Sequence, residues 1–113
     1  MGIISIIELP PFSKKAPNIL TKKELDKLYD YIKLNPEKGN IIPGTGGIRK
    51  LRWSSDNKGK RGGSRIIYFY SIVGSTIYLI TCYTKNDQSD LSNDAKKKYK
   101  TLIEQIKKEI RNV

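Results

Sequence analysis

Histidine is absent from these 113 residues, and cysteine occurs once. The first absence removes His-ligated zinc, Ser-His-Asp and Cys-His nucleophilic sites, and histidine general bases. The lone Cys82 removes any intramolecular disulfide and any cysteine cluster for metal, and it suits a reducing compartment. There is no apolar run of about 18 residues, so no membrane span is expected. Met1 to Leu9 is apolar but short, with Glu8 inside it and no basic stretch before it, so it makes a poor signal peptide. Acids are scarce too: 11 Asp+Glu stand against 22 Lys+Arg, a net charge of +11. Such an excess suits an acidic partner, namely nucleic acid, an anionic membrane or an acidic protein. An apolar share of 37% leaves room for one modest core, and residues 1–113 read as one domain.

What is present falls into ordered elements. Ile3 to Leu9 is dense in β-branched residues and stops at Pro10-Pro11, which predicts a buried strand. Phe12 to Asn18 suggests a short helical turn before or after Pro17. Thr21-Lys22-Lys23-Glu24 is a capping box. Leu25, Leu28, Tyr29 and Ile32 follow at helical spacing, and Pro36 and Gly39 end that helix near Asn35. Ile48 to Ser54 reads as a strand, with Lys50 and Arg52 on one face and Arg49, Leu51 and Trp53 on the other. Arg65 to Val73 and Thr76 to Thr84 are strong strand signals, and Gly74-Ser75 between them suits a two-residue type II′ turn. Ala95, Tyr99, Leu102, Ile103, Ile106 and Ile110 mark a C-terminal amphipathic helix that starts near Ser92. The expected fold is α+β: N-terminal helices, an antiparallel sheet of about four strands and a final helix.

Residues 44–65 differ in kind. They hold six of the nine glycines and seven Lys/Arg against one acid, Asp56, for a local charge of +6. Phosphate-loop fingerprints fail here. Gly44-Thr45-Gly46-Gly47-Ile48-Arg49 breaks GxGxxG at its last position, and no GxxxxGK[ST] exists, so these glycines read as turn geometry beside a strand. The cations are more telling. Lys50 and Arg52 lie on a strand face, Lys58, Lys60 and Arg61 in a basic Gly-rich loop, and Arg65 at the head of the next strand. A hairpin brings its loop-proximal ends together, so these charges should converge. Like charges packed together destabilise a fold, and an anionic ligand would offset that repulsion. Tyr68, Tyr70, Tyr78 and Tyr83 lie in the same meander, where rings either pack the core or stack on bases. Trp53 reads as core. Asp87 and Asp90 are the only paired acids nearby, and beside this much positive charge they would pair with lysines before a metal. Metal-free phosphoryl transfer remains open. RNA carries its own nucleophile, the 2′-OH, next to each phosphate, and Lys and Arg can orient the attack and stabilise the charge it develops.

Three ordered segments sharpen the reading. Gly44-Thr-Gly-Gly-Ile-Arg-Lys-Leu-Arg52, then Gly59-Lys-Arg-Gly-Gly-Ser-Arg-Ile-Ile-Tyr68, then Tyr83-Thr-Lys-Asn-Asp-Gln-Ser-Asp-Leu91 strongly resemble the RelE/HigB toxins of bacterial type II toxin–antitoxin modules. The resemblance is nearest to HigB-like members with a GTGG-[IL]-RK segment, and it covers nearly the whole chain. It implies a ribosome-dependent mRNA endonuclease that arrests translation in the cytoplasm without cofactor. It also implies a cognate antitoxin, often a HigA-like helix-turn-helix protein, that neutralises the toxin. The matching positions are Lys50, Arg52, Arg65 and Lys85, where the family's basic residues bind and activate the phosphate. Beside these, Arg49, Lys58, Lys60 and Arg61 of the basic segment are the expected RNA contacts. Some relatives place histidines in the site, and this chain has none. RelE-type sites use a tyrosine just past the last strand, where this chain has Asp90 and Leu91, which leaves Tyr83 and Asp87 as the candidate proton acceptors. The same fold hosts ParE-like inhibitors of DNA gyrase. A basic RNA-binding module is a further alternative.

Overall fold

The computed structural model describes residues 3–54, 63–85 and 91–111. The elements run β1 (Ser5–Glu8), α1 (Pro10–Ile19), α2 (Lys22–Leu34), β2 (Asn40–Ile41), β3 (Ile48–Trp53), β4 (Ser64–Ser71), β5 (Thr76–Thr84) and α3 (Asn93–Arg111). They build an α+β fold around one sheet of order β1-β5-β4-β3-β2. The sheet is mixed and five-stranded rather than antiparallel and four-stranded. β1 pairs parallel to β5, and the other pairs are antiparallel. No helix among the described residues is long and apolar enough to cross a membrane.

Local chemistry explains most boundaries. The Thr21 side chain accepts from the Glu24 N–H at 3.1 Å, and the Glu24 carboxylate accepts from the Thr21 N–H at 2.8 Å, so the capping box is complete. Pro10 and Pro11 open α1 rather than merely ending β1, because proline's fixed φ suits the first helical turn and its missing N–H is no loss there. α1 therefore runs ten residues, through Pro17, where only a turn was expected. β1 is an edge strand with alternating exposure, not a buried one, because only β5 flanks it. The β4–β5 connection is not a two-residue type II′ turn. It takes four residues, Ile72 to Ser75, between the paired Ser71 and Thr76. Ser75 carries the positive φ of 50°, and the Ser71 hydroxyl accepts from the Gly74 N–H at 3.1 Å. Ile72 and Val73, expected in the strand, stand exposed at this tip.

Two cores sandwich the sheet. On one face, Leu51, Ile66, Tyr68, Leu79 and Cys82 pack under α1 and α2 through Phe12, Ala16, Leu20, Leu28 and Ile32. On the other, Ile48, Ile67, Phe69, Ile80 and Tyr83 pack under α3 through Leu91, Ile103, Ala95, Tyr99 and Ile106. A bulge decides which β5 residues fall on which face. Ile67 pairs with Thr81 and Tyr68 with Leu79, which leaves Ile80 as an extra residue. Strict alternation from Tyr78 would turn Tyr83 toward α1 and α2. With the bulge, Thr81 and Tyr83 stand on the α3 face instead.

Candidate active site

The β3–β4–β5 register sets the site. Arg52 pairs with Arg65, and Arg65 with Tyr83, so these three residues form one cross-strand rung. The next rung is Lys50, Ile67 and Thr81. Side chains two apart along a strand share a face, so Lys50, Arg52 and Arg65 stand together on the α3 side. Lys50 and Arg65 are half-buried and Arg52 is exposed. α3 covers the Ile48–Phe69–Tyr78 end of this face. Ser92 starts that helix, its hydroxyl accepting from the Ala95 N–H at 3.1 Å.

The glycine-rich turn before β3 is built as expected. Gly44, Gly46 and Gly47 take φ of 77°, 80° and 114°, a region that L side chains rarely enter. Buried Thr45 fastens the turn: its hydroxyl donates to the Ile42 carbonyl at 2.6 Å and accepts from the Ile48 N–H at 3.2 Å. Lys107 of α3 donates to the Gly46 carbonyl at 2.7 Å and lies 5.6 Å from the Phe69 ring centroid. The turn thus joins α3 to the start of β3 and fixes where Lys50 and Arg52 emerge. At the other end, Gly63 has φ of 45°, and a Cβ there would meet the Trp53 carbonyl oxygen at 2.5 Å. Only glycine fits that approach, two residues before Arg65.

The structure separates the remaining candidates. Arg49 is turned to the α1–α2 face, away from the other cations. Its Nη1 donates to the Glu37 carbonyl at 2.9 Å and the Gly39 carbonyl at 2.7 Å, so its place is to brace the loop before β2. Lys85 is exposed, one residue beyond β5. Lys58, Lys60, Arg61 and Asp87 lie outside the described residues. Tyr83 reaches the cationic rung but is only 2% exposed, and it packs into the α3-side core. Tyr68 is fully buried, and Tyr78 stacks on Phe69 at 6.3 Å, so these rings pack the core rather than form an open platform. Trp53 lies half-buried against Tyr31, their ring centroids 5.5 Å apart. The sequence reading passed over Thr81. The bulge brings it beside Tyr83, and nothing in the run Leu79-Ile80-Thr81 signals that.

Burial also sets the proton affinities. The Cys82 thiol is pushed up to about 11, mainly by burial, with the Lys15 charge working the other way and the Glu8 charge reinforcing the shift. Burial pushes Tyr29 up strongly, helped by the hydrogen bond its hydroxyl donates to Glu8. Tyr68 is also raised by burial, although its hydroxyl accepts from the Gly39 N–H. None of these groups lies on the cationic face.

Fold and face define a small α+β protein that gathers cations along one rung of a mixed sheet. A family model described as the RelE toxin of the RelE/RelB toxin–antitoxin system matches residues 12–112, and the chain belongs to that family. Two solved structures are similar in fold. One is a mutant of the E. coli toxin RelE in the free state, at 13% identity and a TM-score of 0.57, covering 78% of this chain and 90% of that one. The other is the intact E. coli RelBE toxin–antitoxin complex, at 13% identity and a TM-score of 0.54, covering 70% of this chain and 93% of that one.

Proposed function

We propose that this RelE-family chain is an mRNA endonuclease of the HigB-like kind, acting on transcripts bound to the ribosome in the cytoplasm and held in check by a cognate antitoxin. The observation that carries the reading is the rung in which Arg52 pairs with Arg65 and Arg65 with Tyr83, with Lys50 on the same face. Like charges directly across a ladder are unfavourable in the free protein. A phosphodiester laid over them reverses the sign of that interaction.

The chemistry follows from the substrate. The RNA 2′-OH attacks the adjacent phosphorus, the bond to the 5′-oxygen breaks, and a 2′,3′-cyclic phosphate remains. Arg65 and Arg52 present guanidinium forks to the non-bridging oxygens, whose charge grows as the phosphorane forms. Lys50 and Lys85 are the candidates for stabilising the departing 5′-oxygen. Tyr83 and Asp87 are the candidates for taking the 2′-proton. The Gly-rich turn with Thr45 and Lys107 holds the start of β3, so the cations meet the substrate pre-positioned. The RelBE complex among the fold relatives supports an antitoxin partner, here taken as a helix-turn-helix protein of the HigA type.

The test is incubation of the purified protein with ribosomes programmed with a short mRNA. Cleavage within the decoding site that requires ribosomes and leaves a cyclic phosphate is expected. Intact transcripts together with blocked gyrase supercoiling would replace this reading with the gyrase-inhibitor one.

A further inference from the structure

Beside the cationic rung, between α1, the end of β5 and the first turns of α3, lies a crevice of about 370 Å³. Thr81, Tyr83, Leu91, Ala95 and Tyr99 line it, with Ser92, and Lys15 contributes from α1. Thr81 is 2% exposed, and its hydroxyl has no hydrogen-bond partner among the described residues. A buried hydroxyl left in that state is costly, and in native proteins such groups are rare. Valine would fill the same space without that cost. The bulge at Ile80 is what turns Thr81 into this crevice rather than into the α1–α2 core.

The remaining walls suit a flat heterocycle. The Tyr83 and Tyr99 rings, Leu91 and Ala95 supply apolar surface, and the Thr81 hydroxyl can both donate and accept. The exposed Lys15 ammonium supplies one positive charge at the wall. The volume holds a nucleobase with its sugar. The crevice is also continuous with the rung, because Tyr83 belongs to both. Neighbouring strands lie about 4.8 Å apart, so the step from Arg65 on β4 to Tyr83 on β5 is comparable to one nucleotide of RNA.

We propose that this crevice is a nucleobase subsite for the nucleotide next to the scissile phosphate, in which Thr81 hydrogen-bonds the base edge, the Tyr99 ring packs against the base, and Lys15 draws in the neighbouring phosphate. The proposal rests on the nuclease reading above and deepens it by assigning residues that set which base is preferred.

The experiment is titration of the isotope-labelled protein with uncleavable 2′-O-methyl trinucleotides of A, C, G and U, followed by amide chemical shifts. The expected result is shifts at Thr81, Ala95 and Tyr99, with one base bound more tightly than the others. Thr81→Val, which exchanges only hydroxyl for methyl, should weaken that preferred trinucleotide by about two- to tenfold and flatten the preference. Lys15→Gln should weaken all four alike and reduce the log–log salt slope by about 0.7. Shifts confined to the Arg52–Arg65 rung, shifts absent altogether, or a Thr81→Val protein with unchanged preference would overturn the subsite. The nuclease reading is judged separately, by whether the wild-type protein cleaves ribosome-bound mRNA.

Discussion

Arg52 lies directly across the β3–β4 ladder from Arg65. Two guanidinium groups so placed repel each other, and a directly opposed pair of like charges is unfavourable by a few tenths to about 1 kcal/mol. Arg52 is exposed, and threonine suits a strand. Arg52→Thr is therefore expected to raise stability by about 0.5 kcal/mol at low salt, with the gain shrinking as salt screens the pair. Cleavage should slow in the same variant. Urea unfolding at low salt and at about 0.5 M salt checks the first half, and single-turnover cleavage the second.

Tyr68 holds the opposite face together. Its buried hydroxyl donates to the Pro36 carbonyl at 2.8 Å and accepts from the Gly39 N–H at 2.9 Å. Arg49 braces the same loop from the next strand. Tyr68→Phe leaves both backbone groups without that partner and should cost about 1–3 kcal/mol. Because this face carries none of the proposed catalytic cations, cleavage by the folded fraction should change little. Denaturant unfolding combined with activity per folded molecule measures both.

Cys82 gives the protein a slope on the alkaline side. The thiol's ordinary value is 9.0, and burial raises it to about 11 in the fold. The folded state therefore holds its proton where the unfolded chain loses it. That contribution is complete below pH 9 and is lost as pH rises through about 11. Over that window the wild type should lose on the order of 2 kcal/mol more than Cys82→Ala, whose lower baseline reflects the cavity left behind. Unfolding free energies at a series of pH values between 8.5 and 11 test this; parallel curves for the two proteins would contradict it.

Several parts of this fold are readable because they are local. The Thr21–Glu24 capping box, the amphipathic stripe of α3 and the three strands of the meander each declare themselves within a few residues. The Lys50, Arg52 and Arg65 cluster is readable for the same reason, since alternation and one hairpin suffice to bring them together. What escapes the sequence depends on distant partners. β1 reads as buried from its isoleucines, but whether a strand has one neighbour or two is settled by the sheet, and here it has one. β2 is two residues long and exists only because β3 lies beside it. The bulge at Ile80 leaves no mark in Leu79-Ile80-Thr81, since each of these residues suits either face. Yet it determines that Tyr83 joins Arg65 and that Thr81 faces the crevice. Pro10-Pro11 shows a different limit: two prolines end a strand and begin a helix with equal ease, and only the second role is local to α1.

Arg65 is the residue on which the nuclease reading stands or falls. It sits between Arg52 on β3 and Tyr83 on β5, near the start of a strand whose next four residues are buried. Such a backbone is rigid, and a rigid base lets a guanidinium hold its fork toward one phosphate. The charge it meets is larger on the phosphorane than on the resting phosphodiester, so its contribution falls on the rate rather than on binding alone. Losing one such donor costs roughly 3–4 kcal/mol, or about 100- to 1,000-fold. Arg65→Ala should therefore cleave ribosome-bound mRNA some hundredfold or more slowly in single turnover and should relieve growth arrest. Its melting temperature should stay near the wild type's, because relief of the repulsion with Arg52 offsets the lost packing. Arg65→Lys should recover only part of the rate, since a point charge cannot replace the fork. Cleavage within a few-fold of wild type by Arg65→Ala would move the site elsewhere. A variant that unfolds would make the arginine structural, and Arg65→Lys would then restore the fold and the rate together.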